Sequence, residues 1–252
     1  MTRPSGLAIA GVICRRELVR FVRQPAKMIA AIGTPVLLWL LMASGFADSL
    51  GREALGDVPY SAFLLPGIMT LVAVFAAIFA SISIIEDRRD GWLQSVLASP
   101  APRWSIAGGK IAGGGVVAWV QAAILLPSVL LLEVTVSWQT VAVMLIALAV
   151  ISLAMAGMGV AFAWRCETTG SFHAVMNLVF MPMWLLSGAF IPIDGASDWM
   201  RPLVLINPLT WATHAIRAPL LGEPWLLALT ISCAFAAVML VLAIITVGRA
   251  RK

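Results

Sequence analysis

Few residues in this chain are of a kind that does chemistry, and their spacing assembles no reactive group. Cys14, Cys166 and Cys233 lie far apart with no CxxC or Cys/His spacing, so they read as packing residues rather than a disulfide framework or a metal site. No HExxH or GxSxG run occurs, and no cluster of carboxylates could support hydrolysis. The nearest approach to a phosphate-binding loop is Gly108-Gly109-Lys110. It continues into Ile111 without the Ser or Thr that a G-x-x-x-x-G-K-[ST] loop needs. The sequence therefore assigns no catalytic, cofactor-binding or metal-binding residue. If the protein moves anything uphill, the energy has to enter from another subunit.

The elements around these residues explain why chemistry is sparse. Of 252 residues, 61% are hydrophobic and 12% charged, with a mean hydropathy of +0.98. That composition excludes a soluble globular domain and belongs to an integral membrane protein. A hydrocarbon core about 30 Å thick needs about 20 apolar residues of helix. Six uncharged stretches are long enough: 28–47, 60–85, 111–132, 138–164, 172–191 and 225–247. Trp138 and Trp164 bracket the fourth, roughly 39 Å apart along a helix, which suits aromatic anchors at both interfaces. The expected fold is a single all-α polytopic domain over 1–252.

Charge sets the expected orientation. With both termini in the cytoplasm, 14 of the 17 basic residues lie inside and only Arg52, Arg201 and Arg217 outside, and the span number must be even. The apolar run 6–14 is followed at once by Arg15, Arg16 and Glu17 rather than a small-residue cleavage site, so it is expected to be retained. Ion-coupled carriers keep ionisable groups inside their spans. Here Glu133 falls at the outer end of the third span and His173 at the inner start of the fifth, both at interfaces.

Two segments flank this plan. Arg16, Arg20, Arg23 and Lys27 recur at steps of four, three and four, which predicts a basic amphipathic helix over 7–24 on an anionic membrane surface. A merely solvated flank would show the same charges. In 194–223 the uncharged run between Arg201 and Arg217 is too short and too rich in Pro, Asn and Thr to cross. It reads either as short re-entrant or interfacial helices or as an irregular outer loop. Gly109 and Gly113 form a GxxxG, whose expected use is packing within the chain.

The long polar interruption is 86–110, and Trp92, Leu93, Val96 and Leu97 give it one apolar face on a helix of about ten residues starting near Asp90. Ser99, Pro100, Ala101 and Pro102 stop it. So short a helix is unstable alone. Its apolar face must lie on lipid, on other parts of this chain, or in a partner's groove.

The run Arg89-Asp90-Gly91-Trp92-Leu93-Gln94-Ser95-Val96-Leu97-Ala98-Ser99-Pro100, followed by Arg103 and Gly109-Lys110, resembles the cytoplasmic loop of type-2 ABC transporter permeases, often R-E-x-G-T-L-E-x-L-L-x-S-P. LLSGAFIPID at 185–194 and NPLTWATHAIR at 207–217 extend the resemblance over nearly the whole chain. Asp90, Trp92 and Gln94 depart from the usual Glu, Thr and Glu, so the electrostatic part of a partner contact can differ.

The resemblance implies a membrane subunit of an ABC exporter in the plasma (inner) membrane. It would pair with itself or a related permease and with two copies of an ATP-binding subunit, which carry ATP and Mg. It also implies a coupling helix that docks on the ATPase through Asp90, Gly91, Trp92, Leu93, Val96, Leu97, Ser99 and Pro100, with Trp92, Leu93, Val96 and Leu97 as the buried contacts. Arg16, Arg20 and Arg23 would add a second contact from the N-terminal helix, and Asn207, Pro208 and Trp211 would belong to an outer gate. The cargo would be amphipathic or lipid-like, in a family whose substrates run from drugs and lipids to polysaccharides. A membrane scaffold or assembly factor outside the ABC class is the alternative, and an ion-coupled carrier a more distant one.

Overall fold

The computed structural model describes residues 5–45, 58–132, 134, 136–190 and 197–249, and among these every regular element is helical. In chain order the helices are α1 (Gly6–Val22), α2 (Pro25–Gly45), α3 (Tyr60–Arg89), α4 (Trp92–Ala98) and α5 (Arg103–Ala123), which continues through a 3-10 segment, Leu126–Leu131. After α6 (Trp138–Arg165) come α7 (Thr169–Val175), a π turn at Met176–Phe180, α8 (Met181–Leu185), α9 (Arg201–Ile206), α10 (Pro208–Leu221) and α11 (Leu226–Arg249).

Burial orders the layers. In the most apolar window of α3, 72% of residues are buried, against 22% in that of α11, so α3 is the axis and α11 the rim. Around α3 pack α2, α5, α6 and α10. Close approach depends on small residues where helices cross. A methyl group at Gly159 would come 2.3 Å from the Ser81 hydroxyl, and one at Gly115 would come 2.7 Å from a Leu153 methyl.

Among the described residues, four helical stretches are long and apolar enough to cross a membrane: Tyr60–Arg89, Arg103–Leu131, Trp138–Arg165 and Leu226–Arg249, with a shorter apolar stretch at Ile32–Gly45. The fifth expected span differs from a plain helix over 172–191. Its helical path starts at Thr169, where Thr168 and Ser171 form a capping box, and ends at Leu185; Gly188 then turns with φ 69°. That path, about 26 Å long at 1.5 Å per residue, is short for a full crossing. Residues 191–196 lie outside the described residues, as do 46–57, Glu133 and Thr135.

The polar stretch 86–110 is largely helix rather than loop. With 30 residues, α3 runs about 45 Å, so its last turn, Glu86–Arg89, clears the hydrocarbon without unwinding. Gly91, with φ 77°, reverses the chain into α4, whose seven residues begin at Trp92 rather than Asp90. Arg103 already opens α5, eight residues before the apolar run begins. Only 90–91 and 99–102 of the interruption lie outside helices.

Candidate functional site

At the end of the bundle carrying α4, the N-terminal helix docks on α5 through the GxxxG pair. Added methyl groups at Gly109 and Gly113 would come 2.7 Å from Ile13 Cβ and 2.6 Å from Glu17 Cβ, so both glycines let α1 approach to backbone distance. That contact carries Arg16, Glu17 and Arg20 inward, toward the last turn of α3 and the first turns of α5.

There six charged groups close on one another. Arg16 donates two parallel hydrogen bonds to Asp87, Nη1 to Oδ2 at 2.8 Å and Nη2 to Oδ1 at 2.7 Å. Arg20 Nη1 donates to Asp87 Oδ1 at 3.2 Å, and its Nη2 pairs with Glu86. Lys110 Nζ donates to Glu17 Oε1 at 2.7 Å and Ser83 Oγ at 3.1 Å, and also pairs with Asp87. The Asp87 side chain is 1% exposed and that of Lys110 2%, so Asp87 is the buried hub. Three cations meet three carboxylates, and every buried charge has a partner of opposite sign. Hydrogen bonding to Asp87 raises the affinity of the Arg16 guanidinium for its proton, against an opposing effect of burial. Burial, and secondly the Glu17 carboxylate, pushes the Cys14 thiol up, which suits a packing residue.

Helix α4 is held to this cluster. The Trp92 ring lies under the Arg16 guanidinium, 3.7 Å from ring centroid to Cζ, and 5.5 Å from Lys110 Nζ. Leu93 is 1% exposed, and Trp92, Val96 and Leu97 pack against the same core. Gln94 Nε2 donates to the Arg88 carbonyl at 2.8 Å, which caps α3. Arg88 itself donates to the carbonyls of Trp164 and Cys166 at 2.8 and 2.9 Å, closing the end of α6.

These contacts bear on two expectations. The apolar face of α4 packs on this chain, with Leu93 buried and Trp92, Val96 and Leu97 half-buried; the exposed positions are Asp90, Gly91, Gln94, Ser95, Ala98, Ser99 and Pro100. Arg16 and Arg20, read as a stripe on the membrane surface, turn into the protein, while Leu7, Val12, Val19 and Val22 face out beside Arg15. Arg23, the C-cap of α1, is exposed. Side chains beyond it at Lys27 lie outside the described set.

At the opposite end, α9 and α10 replace an irregular loop. Asn207 joins them as the N-cap of α10, its Oδ1 accepting from Leu209 N at 3.1 Å and its Nδ2 donating to the Met183 carbonyl at 2.5 Å. Pro208 fills the first turn, where its missing N–H is harmless, and Trp211 Nε1 donates to the Leu205 carbonyl at 2.9 Å. Ten residues past Asn207, Arg217 is 7% exposed. Its Nε donates to Phe63 O at 3.0 Å and its Nη2 to Gly188 O at 3.0 Å, with the guanidinium 3.7 Å from the Phe63 ring centroid. Three segments, 60–63, 188–189 and α10, are thus tied by one cation.

Sequence reasoning missed Glu17, Asp87 and Arg217, and took Lys110 only for the start of a span. A usable signal existed for two of them. Glu17 is the lone acid within a basic stripe, and Arg217 is a charge closing an otherwise apolar motif.

Residues 10–221 match the ABC-2 type transporter family. The chain belongs to that family. Among its relatives this permease is 23% identical to the putative transport permease ycf38 of Cyanophora paradoxa over 85% of this chain and 75% of that one. It is 26% identical to the probable multidrug ABC transporter permease YbhR of Escherichia coli K12, over 64% of this chain and 44% of that one. It is 25% identical to nodulation protein J of Neorhizobium galegae over 88% and 84%. This ABC-2 exporter permease is a multi-pass membrane subunit; such permeases lack a nucleotide-binding domain, and ATP is bound by a partner ATP-binding subunit. Membership sets aside the scaffold and ion-coupled-carrier readings.

Proposed function

We propose that the partner ATPase docks on the exposed face of α4 and that the charge cluster beneath it carries the push into the bundle. The observation that supports this is the seat of Trp92 against Arg16 and Lys110. A displacement of α4 must move α1, α3 and α5 together, because Asp87 is bonded to residues from two of them. On this reading Asp90, Gly91, Ser99 and Pro100 keep their role at the ATPase, joined by Gln94 and Ser95. Trp92, Leu93, Val96 and Leu97 act from below by fixing the helix. From α1, Arg23 remains a contact candidate, whereas Arg16 and Arg20 serve the cluster.

The reading includes six spans with both termini cytoplasmic, supported by the basic bias and by the helical path at 169–185 as an abbreviated fifth span. Two copies, or one copy and a related permease, enclose the path in the plasma (inner) membrane. Helices α9 and α10 re-enter on the far side, with Asn207, Pro208 and Trp211 in the gate. An amphipathic or lipid-like cargo suits spans without carboxylates at mid-depth, and the name multidrug carried by the E. coli relative points the same way.

The test is Ser95→Trp, which adds bulk to the exposed face without touching Leu93. The purified permease should lose its ATPase partner, and vesicles holding both subunits should lose ATP-driven efflux of an amphipathic dye. Unchanged association and efflux would sink the docking assignment. Leu93→Asp is the wrong probe, because a charge there disrupts this chain's own core.

A further inference from the structure

At the α4 end of the bundle, the last turns of α6 and α11 frame a groove of about 330 Å³ lined by Trp164, Arg165, Leu242, Ile245, Thr246 and Arg249. We propose that this groove binds the phosphodiester headgroup of an anionic bilayer phospholipid. Four arginines converge on this corner, and they divide by role. Arg88 donates to the carbonyls of Trp164 and Cys166, and Arg103 Nη1 to that of Gly248 at 3.3 Å, so both close helix ends. Arg165 and Arg249 are exposed on the groove, and among the described residues neither forms an ion pair. The sequence adds Arg251 and Lys252 directly beyond.

The rest of the groove fits a lipid better than a small anion. Below the arginines the floor is Leu242 and Ile245, and from it Val238, Val241, Leu242 and Ile245 run up α11 at i, i+3, i+4 and i+7, all exposed. That stripe gives an acyl chain a track, while two guanidiniums and the Thr246 hydroxyl meet the phosphate at the depth where membrane-length helices end. A basic pocket between spans on the positive-inside face recognises anionic headgroups through charge, and the apolar track excludes free phosphate as the preferred occupant. The assignment to the inner leaflet rests on the cytoplasmic orientation proposed above; the binding itself does not.

Native mass spectrometry of the full-length permease with its ATPase, released from micelles doped with phosphatidylglycerol or phosphatidylcholine, tests this without reference to orientation or docking. Wild type should retain phosphatidylglycerol in preference, and Arg165→Gln/Arg249→Gln should lower that retention about tenfold. Arg165→Lys/Arg249→Lys should keep most of it. Thr246→Trp, which fills the groove but leaves both charges, should lose it too, which separates site occupancy from general electrostatics. Equal loss in Arg15→Gln/Arg89→Gln, two exposed arginines elsewhere at this end, would overturn the proposal. So would displacement by millimolar inorganic phosphate, or unchanged retention in the groove variants. A change in oligomer mass with lipid retained would assign the groove to a second copy instead. Loss of the ATPase with lipid still bound would leave this assignment standing.

Discussion

The two ends of α3 bury positive charge in different ways. At Glu86–Arg89, Arg16, Arg20 and Lys110 are answered by carboxylates from two helices. At Tyr60–Phe63, Arg217 is answered by main-chain carbonyls of Phe63, Gly188 and Ala189 and by an aromatic face. A carboxylate pairing can be exchanged, because each side chain has more than one partner within reach. A guanidinium held by carbonyls is fixed to whatever backbone geometry presents them. The first end is therefore built to be pushed and to re-pair, and the second to hold its segments in register.

Asp87→Ala should have the largest effect, since it leaves Arg16 and Lys110 facing each other with only Glu17 between them. A loss of about 3–5 kcal/mol is expected, read by urea unfolding of the full-length chain in micelles. Asp87→Ala/Lys110→Ala should recover part of it, and additivity of the two changes would remove the claim of exchangeable pairing. Next comes Arg217→Met, at about 2–3 kcal/mol, because its carbonyl partners are left unpaired. If that substitution were silent, the carbonyls would not be what holds the far end.

Gly113→Ala ranks third at about 1–3 kcal/mol, since its methyl would meet Glu17 Cβ at 2.6 Å and displace α1 from the cluster. Gly108→Ala, with nothing within 4 Å, should be neutral or stabilise by up to about 1 kcal/mol. The pair separates docking of α1 from glycine content. Smallest is Arg20→Gln, under about 1 kcal/mol, because both Arg20 and Glu86 are partly exposed.

Much of this was legible in the sequence. The apolar runs gave the long helices, Gly109 and Gly113 gave an intrachain contact, and Trp92, Leu93, Val96 and Leu97 gave the apolar face of α4, though not what it packs on in this chain. What stayed hidden depends on distance along the chain. Arg16 and Asp87 are 71 residues apart, and nothing local says that a basic stripe will meet carboxylates instead of lipid headgroups. The long helices run past the span limits at 85 and 111 for a simpler reason: hydrophobicity stops at the membrane, whereas α3 continues through Arg89 to the turn at Gly91 and α5 starts directly after Pro102.

The π turn at Met176–Phe180 has a consequence for how the far end is aligned. One extra residue in a helix that advances about 100° per residue shifts the angular phase of everything after it. Past the turn, the Trp184 ring packs edge-on to Phe190 with centroids 4.8 Å apart, and its Nε1 approaches Gly67 O at 3.4 Å. Met183 offers its carbonyl to Asn207. Removing a single residue from the π turn would leave composition and hydropathy almost untouched, yet turn Trp184 away from Gly67 and Met183 away from Asn207 by roughly a quarter of a revolution. The segment works as a vernier, setting by residue count the angle at which α8 meets α3 and α10.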